Sequence, residues 1–330
     1  MIKKIVYLGS PDFSAYLLKK LNSLPLKINI VVTQKDKPVG RRKILTSTPV
    51  KKTALSLELP VKELEEWNEE IIRSLKDSDL AILYSFSKII PKEILHLPKY
   101  GFLNVHPSLL PKFRGASPVV YPLALEKTKF GVSIIKITTK LDAGPIIFQA
   151  KTSISKEETK EDIYFKLTEI AFKGLKEILK LDFEKIALEP QDETKATYTR
   201  KLKKEDGFIP WIAIQEAIEN KGKVNIQFLP RFLKEYLEKY PSERKGIRKK
   251  ISFFSLHRAL SPWPALWTIV KVAGKKKRLK ILDISTKNEI LKVQLEGKNP
   301  VHFNNFLKTA PLDMEFRGAK PRTESYSSKS

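Results

Sequence analysis

Two polar side chains that could take part in proton transfer lie two positions apart in the segment NVHPSLLPKFRGASP, residues 104–118. If this segment begins in a β-strand, Asn104 and His106 project from the same face, because alternate strand residues share a face. An amide can donate hydrogen bonds to an oxygen that becomes negative, and an imidazole exchanges protons near neutral pH. The spacing therefore indicates a candidate acid–base site.

A carboxylate that could join this pair lies in the later segment KLDAGP, at Asp142. A carboxylate beside an imidazole can orient the ring and stabilise its charged form. Asn104, His106 and Asp142 together suit acyl transfer to an amine. From spacing alone, a capping asparagine, a structural histidine and a turn-forming aspartate explain the same residues.

The elements that must position these side chains follow an alternating pattern. KKIVYLG and KINIVVT are typical of buried strands, and helix and strand signals then alternate through NEEIIRSLK, DLAILYS, PKEILHL and GFLNVH. This pattern predicts an α/β fold with an open, mostly parallel, doubly wound sheet over residues 1–189. Residues 158–180 show the periodicity of an amphipathic helix that closes this domain. Since no G-x-G-x-x-G follows the first strand, dinucleotide binding is disfavoured.

The rest of the chain has a different pattern. Residues 190–206 lose the periodicity and are predicted to form a linker. Residues 207–330 contain short strand signals broken by Gly, Pro and Lys turns, which predicts a smaller β-barrel domain. This second domain should be the basic one, because residues 201–330 carry 28 basic and 13 acidic side chains.

Composition limits the classes of function. Sixty-two Lys and Arg against 37 Asp and Glu give a net charge of +25, which indicates a polyanionic partner such as nucleic acid or a general lysine bias. Without cysteine there is no disulfide and no thiolate metal site, and the four histidines lack H-x-x-x-H spacing. No segment is long and apolar enough for a membrane helix, and the first residues lead directly into a strand. We therefore expect a cytoplasmic, metal-independent protein.

Several longer segments resemble a known family. GSPDFS, NVHPSLLPKFRGASPV and KLDAGPIIFQ resemble the formyltransferases that use 10-formyltetrahydrofolate. Within that superfamily, the methionyl-tRNA formyltransferase family is similar in KDKPVGRRKILTSTPVK, YTRKLKKEDGFIPW, SPWPALW and VQLEGKNPVHFNNFL. The collinear match covers roughly residues 1–211 and 255–308.

The resemblance implies an enzyme of translation initiation. It would transfer the formyl group of 10-formyltetrahydrofolate, a co-substrate, to the α-amino group of methionine on initiator tRNA, as a monomer without a metal. Asn104 would stabilise the oxyanion, His106 would accept the amine proton and Asp142 would orient or tune the imidazole. The folate would lie along Ser108, Leu109, Leu110 and Pro111, with Phe86 completing the pterin pocket.

The resemblance also implies which residues contact the tRNA, and it implies that the C-terminal barrel has an OB-like fold. Arg41, Arg42 and Lys43 would enter the acceptor stem from a basic loop, although a charge run by itself is usually a solvated face. Lys275, Lys276 and Lys277 would contact the phosphate backbone. Two other functions fit part of the sequence. The positive charge alone would suit an RNA-binding protein without catalytic activity. The catalytic motif alone would suit another formyl-folate enzyme, one that acts on a ribonucleotide, an amino sugar or water.

Four features depart from the family or stay open. Ser85 replaces a glycine expected in the pterin loop. The segment 212–256 is longer than the corresponding segment of the family, and it could be a tolerated surface insertion or an added RNA contact. Residues 311–330 extend past the usual end of the family. Arg114 could contact a ligand or support its loop.

Overall fold

The computed structural model describes residues 2–39, 44–220, 222–244, 247 and 250–310 of the chain. The predicted tRNA contacts Arg41, Arg42 and Lys43, the tail 311–330 and part of segment 212–256 lie outside the described residues. The chain divides into two compact units. The N-terminal unit comprises 1–119, 129–154 and 161–199, and the C-terminal unit comprises 120–128, 155–160 and 200–330. The linear domain boundaries at 189 and 207 stay a prediction.

The strands, in chain order, are β1 (Lys4–Gly9), β2 (Lys27–Thr33), β3 (Lys37–Val39), β4 (Ile44–Thr46), β5 (Val61–Glu63), β6 (Leu80–Tyr84), β7 (Phe102–His106), β8 (Arg114–Gly115), β9 (Lys129–Lys136), β10 (Ile146–Ser153), β11 (Tyr198–Thr199), β12 (Lys223–Asn225), β13 (Lys250–Ser252), β14 (Leu266–Val272), β15 (Lys275–Ile284), β16 (Ile290–Leu295) and β17 (Val301–His302). The helices are α1 (Asp12–Leu21), α2 (Pro49–Ser56), α3 (Glu69–Lys76), α4 (Val120–Ala124), α5 (Lys160–Ile178), α6 (Trp211–Glu219), α7 (Arg231–Lys239), α8 (Pro241–Arg244), α9 (Phe253–Leu260) and α10 (Phe303–Thr309).

The N-terminal unit contains a seven-stranded sheet in the order β10-β9-β7-β6-β1-β2-β5. The strands from β7 to β5 are parallel to their neighbours, whereas β9 and β10 are antiparallel. Strands β1 and β6 are almost wholly apolar and buried, as expected for parallel strands covered on both faces. The predicted mostly parallel α/β sheet is confirmed.

Alternation along the central strands places helices on both faces of this sheet. Val6 and Leu8 share a core cluster with the α3 residues Ile71 and Leu75. Tyr7, between them in sequence, points the other way and donates a hydrogen bond from its hydroxyl to the backbone oxygen of Ser14 in α1 at 2.7 Å. The sheet is therefore doubly wound, as the sequence predicts.

Two helix predictions in this unit had different outcomes. The helix predicted over residues 158–180 is confirmed as α5, which buries one stripe of its surface. The helix predicted in PKEILHL is wrong, since residues 92–96 form turns. Pro98 follows this segment about two helical turns after its start, and a residue before proline is disfavoured in the helical region.

In the region where a small β-barrel is predicted, the C-terminal unit contains a four-stranded antiparallel sheet, β14-β15-β16-β17. Within segment 212–256, the α7 residues Phe232 and Leu233 are buried. The Tyr121 ring of α4 lies 5.0 Å from the Phe232 ring and 5.1 Å from the Tyr236 ring. Helix α7 therefore packs on α4 through one face, and the two interpretations of segment 212–256 stay open.

Candidate active site

Strand β7 places the first two candidate residues at its carboxyl end. Asn104 and His106 lie on one face of β7, and their neighbours Leu103 and Val105 point to the other. Asn104 is 9% exposed and His106 is 4% exposed. Two polar side chains this deeply buried need fixed hydrogen-bond partners.

The connection between β9 and β10 brings Asp142 to the same place. The Asn104 amide donates from Nδ2 to Asp142 Oδ1 at 3.1 Å, and the Gly115 backbone N–H donates to Oδ2 at 2.7 Å. Asp142 Oδ2 also lies 3.6 Å from His106 Nδ1. The three residues that sequence reasoning grouped, Asn104, His106 and Asp142, are thus neighbours in the structure.

The surroundings of His106 determine which ring nitrogen can accept a proton. His106 Nε2 lies 3.0 Å from the backbone oxygen of Phe113. Since a carbonyl oxygen only accepts, Nε2 must carry the hydrogen of this bond. The neutral ring then has its lone pair on Nδ1, the nitrogen that faces Asp142. A proton taken up at Nδ1 would produce an imidazolium next to a carboxylate, which stabilises that charge.

The loop that carries Asp142 is tightly constrained. Asp142 has φ +49°, in the left-handed region that is unfavourable for most residues. A Cβ atom at Gly144 would lie 1.7 Å from the Lys136 backbone oxygen, so only glycine fits there. The Gln191 amide donates to the backbone oxygens of Asp142 at 2.8 Å and Gly144 at 2.7 Å. Sequence reasoning missed Gln191, which lies 49 residues from Asp142 in the chain.

Arg114 supports this region instead of projecting from it. The side chain is fully buried and bonds to Gln191, Glu193 and Tyr198. Short parallel pairing of β8 with β11 brings these residues together. The question that the sequence left open is therefore answered in favour of loop support.

The loop predicted to bind folate, Ser108 to Pro111, is held by side chains that sequence reasoning missed. Ser133 on β9 donates from its hydroxyl to the Ser108 backbone oxygen at 2.7 Å and accepts from the Leu110 backbone N–H at 3.1 Å. Gln149 on β10 donates to the Leu110 backbone oxygen at 2.9 Å. Ser133 and Gln149 could have been recognised in the sequence as polar residues at alternate positions of otherwise apolar strands.

Within this loop the predicted side chains differ in what they can offer a ligand. The Ser108 hydroxyl donates to the Lys112 backbone oxygen at 2.7 Å, and Leu110 is buried against Ile135 and Ile146. Leu109 and Pro111 are half-buried. A ligand here would therefore meet chiefly Leu109, Pro111 and backbone atoms.

Phe86 follows the strand next to β7. Strands β6 and β7 are parallel neighbours, so their carboxyl ends, and hence Phe86 and Ser108, lie at the same edge of the sheet. Ser85 has φ +55°, the left-handed conformation that glycine adopts most easily. The loop thus keeps a backbone conformation suited to glycine although serine occupies the position.

The predicted tRNA contacts in the C-terminal unit do not share one face. In the β14–β15 hairpin, Lys275 and Lys277 pair with Val272 and Val270, whereas Lys276 lies opposite Lys271. Because strand residues alternate, Lys276 is on the other face from Lys275 and Lys277. The face that holds Lys276 is termed the outer hairpin face, and its members are Trp267, Ile269, Lys271, Lys276, Arg278 and Lys280.

An aromatic ring and several cations share the outer hairpin face. The Arg278 guanidinium lies 5.3 Å from the Trp267 ring centre, within the range of cation–π attraction. Sequence reasoning grouped the run GKKKRLK, residues 274–280, but missed Lys271, which the strand pairing places opposite Lys276.

Two further observations concern the described residues as a whole. Among them, no group of three or more His, Cys, Asp or Glu side chains is arranged to hold a metal ion. No helix in this part of the chain is long and apolar enough to cross a membrane.

A doubly wound sheet with an amide, an imidazole and a carboxylate gathered at the carboxyl end of one strand suits enzymes of the acyl-transfer type. Residues 3–179 match the model of the family described as formyl transferase, and the chain belongs to this family.

Among formyl transferases, the chain is similar to enzymes named methionyl-tRNA formyltransferase. The chain is 36% identical to the methionyl-tRNA formyltransferase of Caldicellulosiruptor saccharolyticus, over 88% of this chain and 83% of the relative. It is 39% identical to the enzyme of the same name from Thermotoga maritima, over 66% of this chain and 71% of the relative.

Solved structures share the fold. The methionyl-tRNA formyltransferase from Clostridium thermocellum superposes with a TM-score of 0.53 at 19% identity, covering 91% of this chain and 99% of that one. A sugar 3N-formyl transferase, WlaRD, solved with dTDP and 5-N-formyl-THF, gives a TM-score of 0.51 at 18% identity, covering 86% and 89%. At these identities the likeness concerns the fold alone.

Proposed function

We propose that the protein transfers the formyl group of 10-formyltetrahydrofolate to the α-amino group of methionine esterified to initiator tRNA, as a cytoplasmic monomer. The observation that carries this proposal is the contact of Asp142 with both Asn104 and His106. The relatives named methionyl-tRNA formyltransferase support the choice of substrate.

The chemistry needs little activation of the attacking amine. Free α-amino groups titrate near 7.7–8.0, and an adjacent ester lowers that value, so much of the amine is neutral at pH 7. The amine nitrogen forms a bond to the formyl carbon, the bond from that carbon to the folate nitrogen breaks, and one proton moves from the amine to the departing nitrogen. The protein must therefore orient two reactants, stabilise one oxygen and transfer one proton.

Each residue of the cluster has a role in this scheme. The Asn104 amide uses one N–H on Asp142 and has a second, which would donate to the formyl oxygen as it becomes negative. His106 would accept the amine proton at Nδ1 and deliver it to the folate nitrogen. Asp142 would stabilise the imidazolium between these two transfers.

The folate would lie at the carboxyl edge shared by β6 and β7. Phe86 offers an aromatic surface there, and the loop Ser108, Leu109, Leu110 and Pro111 offers backbone groups that Ser133 and Gln149 hold in place. No metal has a role in this scheme, since amine attack on a formyl carbon requires only the groups already named.

The outer hairpin face would contact the phosphate backbone of the tRNA, because clustered lysines and arginine bind polyanions and release their counterions. Lys275 and Lys277 would contribute from the opposite face. Arg41, Arg42 and Lys43 would contact the acceptor end. A formyltransferase acting on a small amine has no use for such a basic surface, which favours tRNA as the substrate.

The test is formyl transfer from 10-formyltetrahydrofolate to methionyl initiator tRNA, with elongator methionyl-tRNA as the comparison. We expect N-formylmethionyl-tRNA to form preferentially on the initiator. The Asn104→Ala variant should lose about 100-fold or more in turnover with little change in folate affinity. A wild-type protein that formylates neither tRNA would refute the proposal, and normal turnover with weak folate binding in Asn104→Ala would make Asn104 a binding residue.

A further inference from the structure

A fully buried guanidinium lies behind the active-site loop, and all of its hydrogens are used. Arg114 Nε and Nη2 donate to Gln191 Oε1 at 3.1 and 2.8 Å, and Nη1 and Nη2 donate to the two Glu193 carboxylate oxygens at 3.0 and 2.8 Å. Nη1 also donates to the Tyr198 hydroxyl at 2.8 Å. These bonds account for the five N–H groups of arginine.

Gln191 connects this guanidinium to the Asp142 loop, and the hydrogen-bond partners determine which way its side-chain amide is oriented. A guanidinium only donates, so the atom that faces Arg114 is the amide oxygen. The amide nitrogen therefore faces the backbone oxygens of Asp142 and Gly144, which only accept. Both hydrogens and both lone pairs of the Gln191 amide are occupied.

We propose that Gln191, held by Arg114, is a positioning residue that fixes the Asp142 carboxylate between Asn104 and His106. Asp142 adopts a left-handed backbone conformation that few residues favour, and the two bonds from Gln191 hold the backbone on either side of Ala143. The distance from Asp142 Oδ2 to His106 Nδ1 is 3.6 Å, beyond normal hydrogen-bond length, so a small movement of the loop decides whether the two can interact.

Two other roles for these residues are less consistent with the structure. Arg114 could bind an anionic substrate, but it is fully buried and each of its N–H groups already has an acceptor. The network could also serve stability alone. That role predicts that breaking either side of Arg114 has the same effect on turnover, whereas positioning predicts that only the Gln191 side matters.

Gln191→Glu separates these roles. The carboxylate keeps acceptors for Arg114 but can no longer donate to the Asp142 and Gly144 carbonyls. Glu193→Gln is the matched control, because it weakens the other side of Arg114 and leaves the bonds from Gln191 in place. Both variants alter hydrogen bonds to the buried Arg114 guanidinium, so both are expected to lower the melting temperature.

This inference uses the proposed reaction as its assay. We expect Gln191→Glu to lower kcat by about 10- to 100-fold while KM for both substrates stays within about threefold, as for an interaction made in the transition state. Glu193→Gln should keep kcat within about threefold. Gln191→Met, which also cannot donate to the carbonyls, gives the same comparison if Gln191→Glu does not fold.

Crystal structures of the variants supply a measurement that is independent of the tRNA reaction. We expect Asp142 Oδ2 to move away from the Gly115 nitrogen by roughly 1 Å in Gln191→Glu and to stay in place in Glu193→Gln. An unmoved carboxylate in Gln191→Glu, equal losses of kcat in the two variants, or a change confined to KM would overturn the inference. An inactive wild type would refute only the proposed function, since the position of Asp142 would still decide the inference.

Discussion

The charged side chains of the candidate active site and of the β14–β15 hairpin have different neighbours. At the candidate active site Arg114 makes five hydrogen bonds, and the Asp142 carboxylate accepts from Asn104 and Gly115. In the β14–β15 hairpin, Lys276 lies directly opposite another cation, Lys271. Like charges at opposite positions of a strand pair destabilise the sheet.

The difference separates two tasks. Matched, buried charges hold atoms in place, and their interactions are screened little by salt. Cations that lie opposite one another across a strand pair cost stability but create a field that attracts a polyanion and depends strongly on salt. The active site should therefore govern turnover, and the hairpin should govern affinity.

The largest expected effect is on turnover. His106→Ala should reduce kcat by at least about 100-fold, the usual loss when a general base is removed, and the reduction should be the same at low and high salt. The measurement is steady-state formylation of initiator methionyl-tRNA at two ionic strengths. Exposed His96 provides the matched control, and His96→Ala should retain full activity. A His106→Ala variant with more than a tenth of wild-type turnover would exclude its catalytic role.

A smaller effect is expected from the hairpin, and it should depend on the face. Replacing Lys276 and Lys280 together by Ala should weaken all tRNAs alike and reduce the salt dependence of binding by about two phosphate contacts. The comparison is the double Ala variant of Lys275 and Lys277, which would contribute from the other face of β15 and should give the smaller loss of affinity. Equal losses from the two double variants would show that the outer hairpin face is not a distinct surface. The measurement is the Kd for initiator and elongator tRNA across a salt series.

The sequence predicted the active site more completely than the surface. Asn104, His106 and Asp142 could be grouped because strand alternation and strand ends place them at one edge of the sheet. Gln191 could not be found, because the atoms it contacts in the Asp142 loop are backbone oxygens, which carry no sequence signal. PKEILHL was predicted as a helix because its composition suits one, and the limit set by Pro98 was overlooked.

The hairpin shows a second limit of sequence reasoning. Lys275, Lys276 and Lys277 form an obvious run of charge, but a run in sequence crosses from face to face in a strand. The surface that the sheet assembles joins Lys276 to Lys271 across the strand pair, through a register that the turn at Ala273 and Gly274 fixes.

The pairing of charges near the active site also predicts a pH effect on stability. The Arg114 guanidinium, by its hydrogen bonds, holds the pKa of the Glu193 carboxyl below its usual value. A carboxyl with a lowered pKa in the folded state stabilises the protein above its unfolded pKa, and this contribution is lost as pH falls through the folded pKa. Wild type should therefore exceed Glu193→Gln in melting temperature at pH 7, and the difference should shrink once pH falls below about 4. A difference that grows in acid would contradict this linkage.

The smallest predicted effect has opposite signs for stability and binding, which makes it the sharpest test of the contrast. Lys276→Glu places a carboxylate directly opposite Lys271, so a repulsive cross-strand pair becomes an attractive one. Such a change should stabilise the protein by about 0.2–1 kcal/mol in urea unfolding and, at the same time, weaken tRNA binding.

Lys275→Glu is the control, because Val272 is its cross-strand neighbour and no ion pair is gained. If Lys276→Glu destabilised the protein as much as Lys275→Glu, repulsion across the hairpin would not be a cost of this surface. If it instead stabilised the protein and left tRNA affinity unchanged, the outer hairpin face would not be a tRNA contact. A gain in stability together with a loss of affinity would show that the hairpin retains a destabilising arrangement of charge because the substrate requires it.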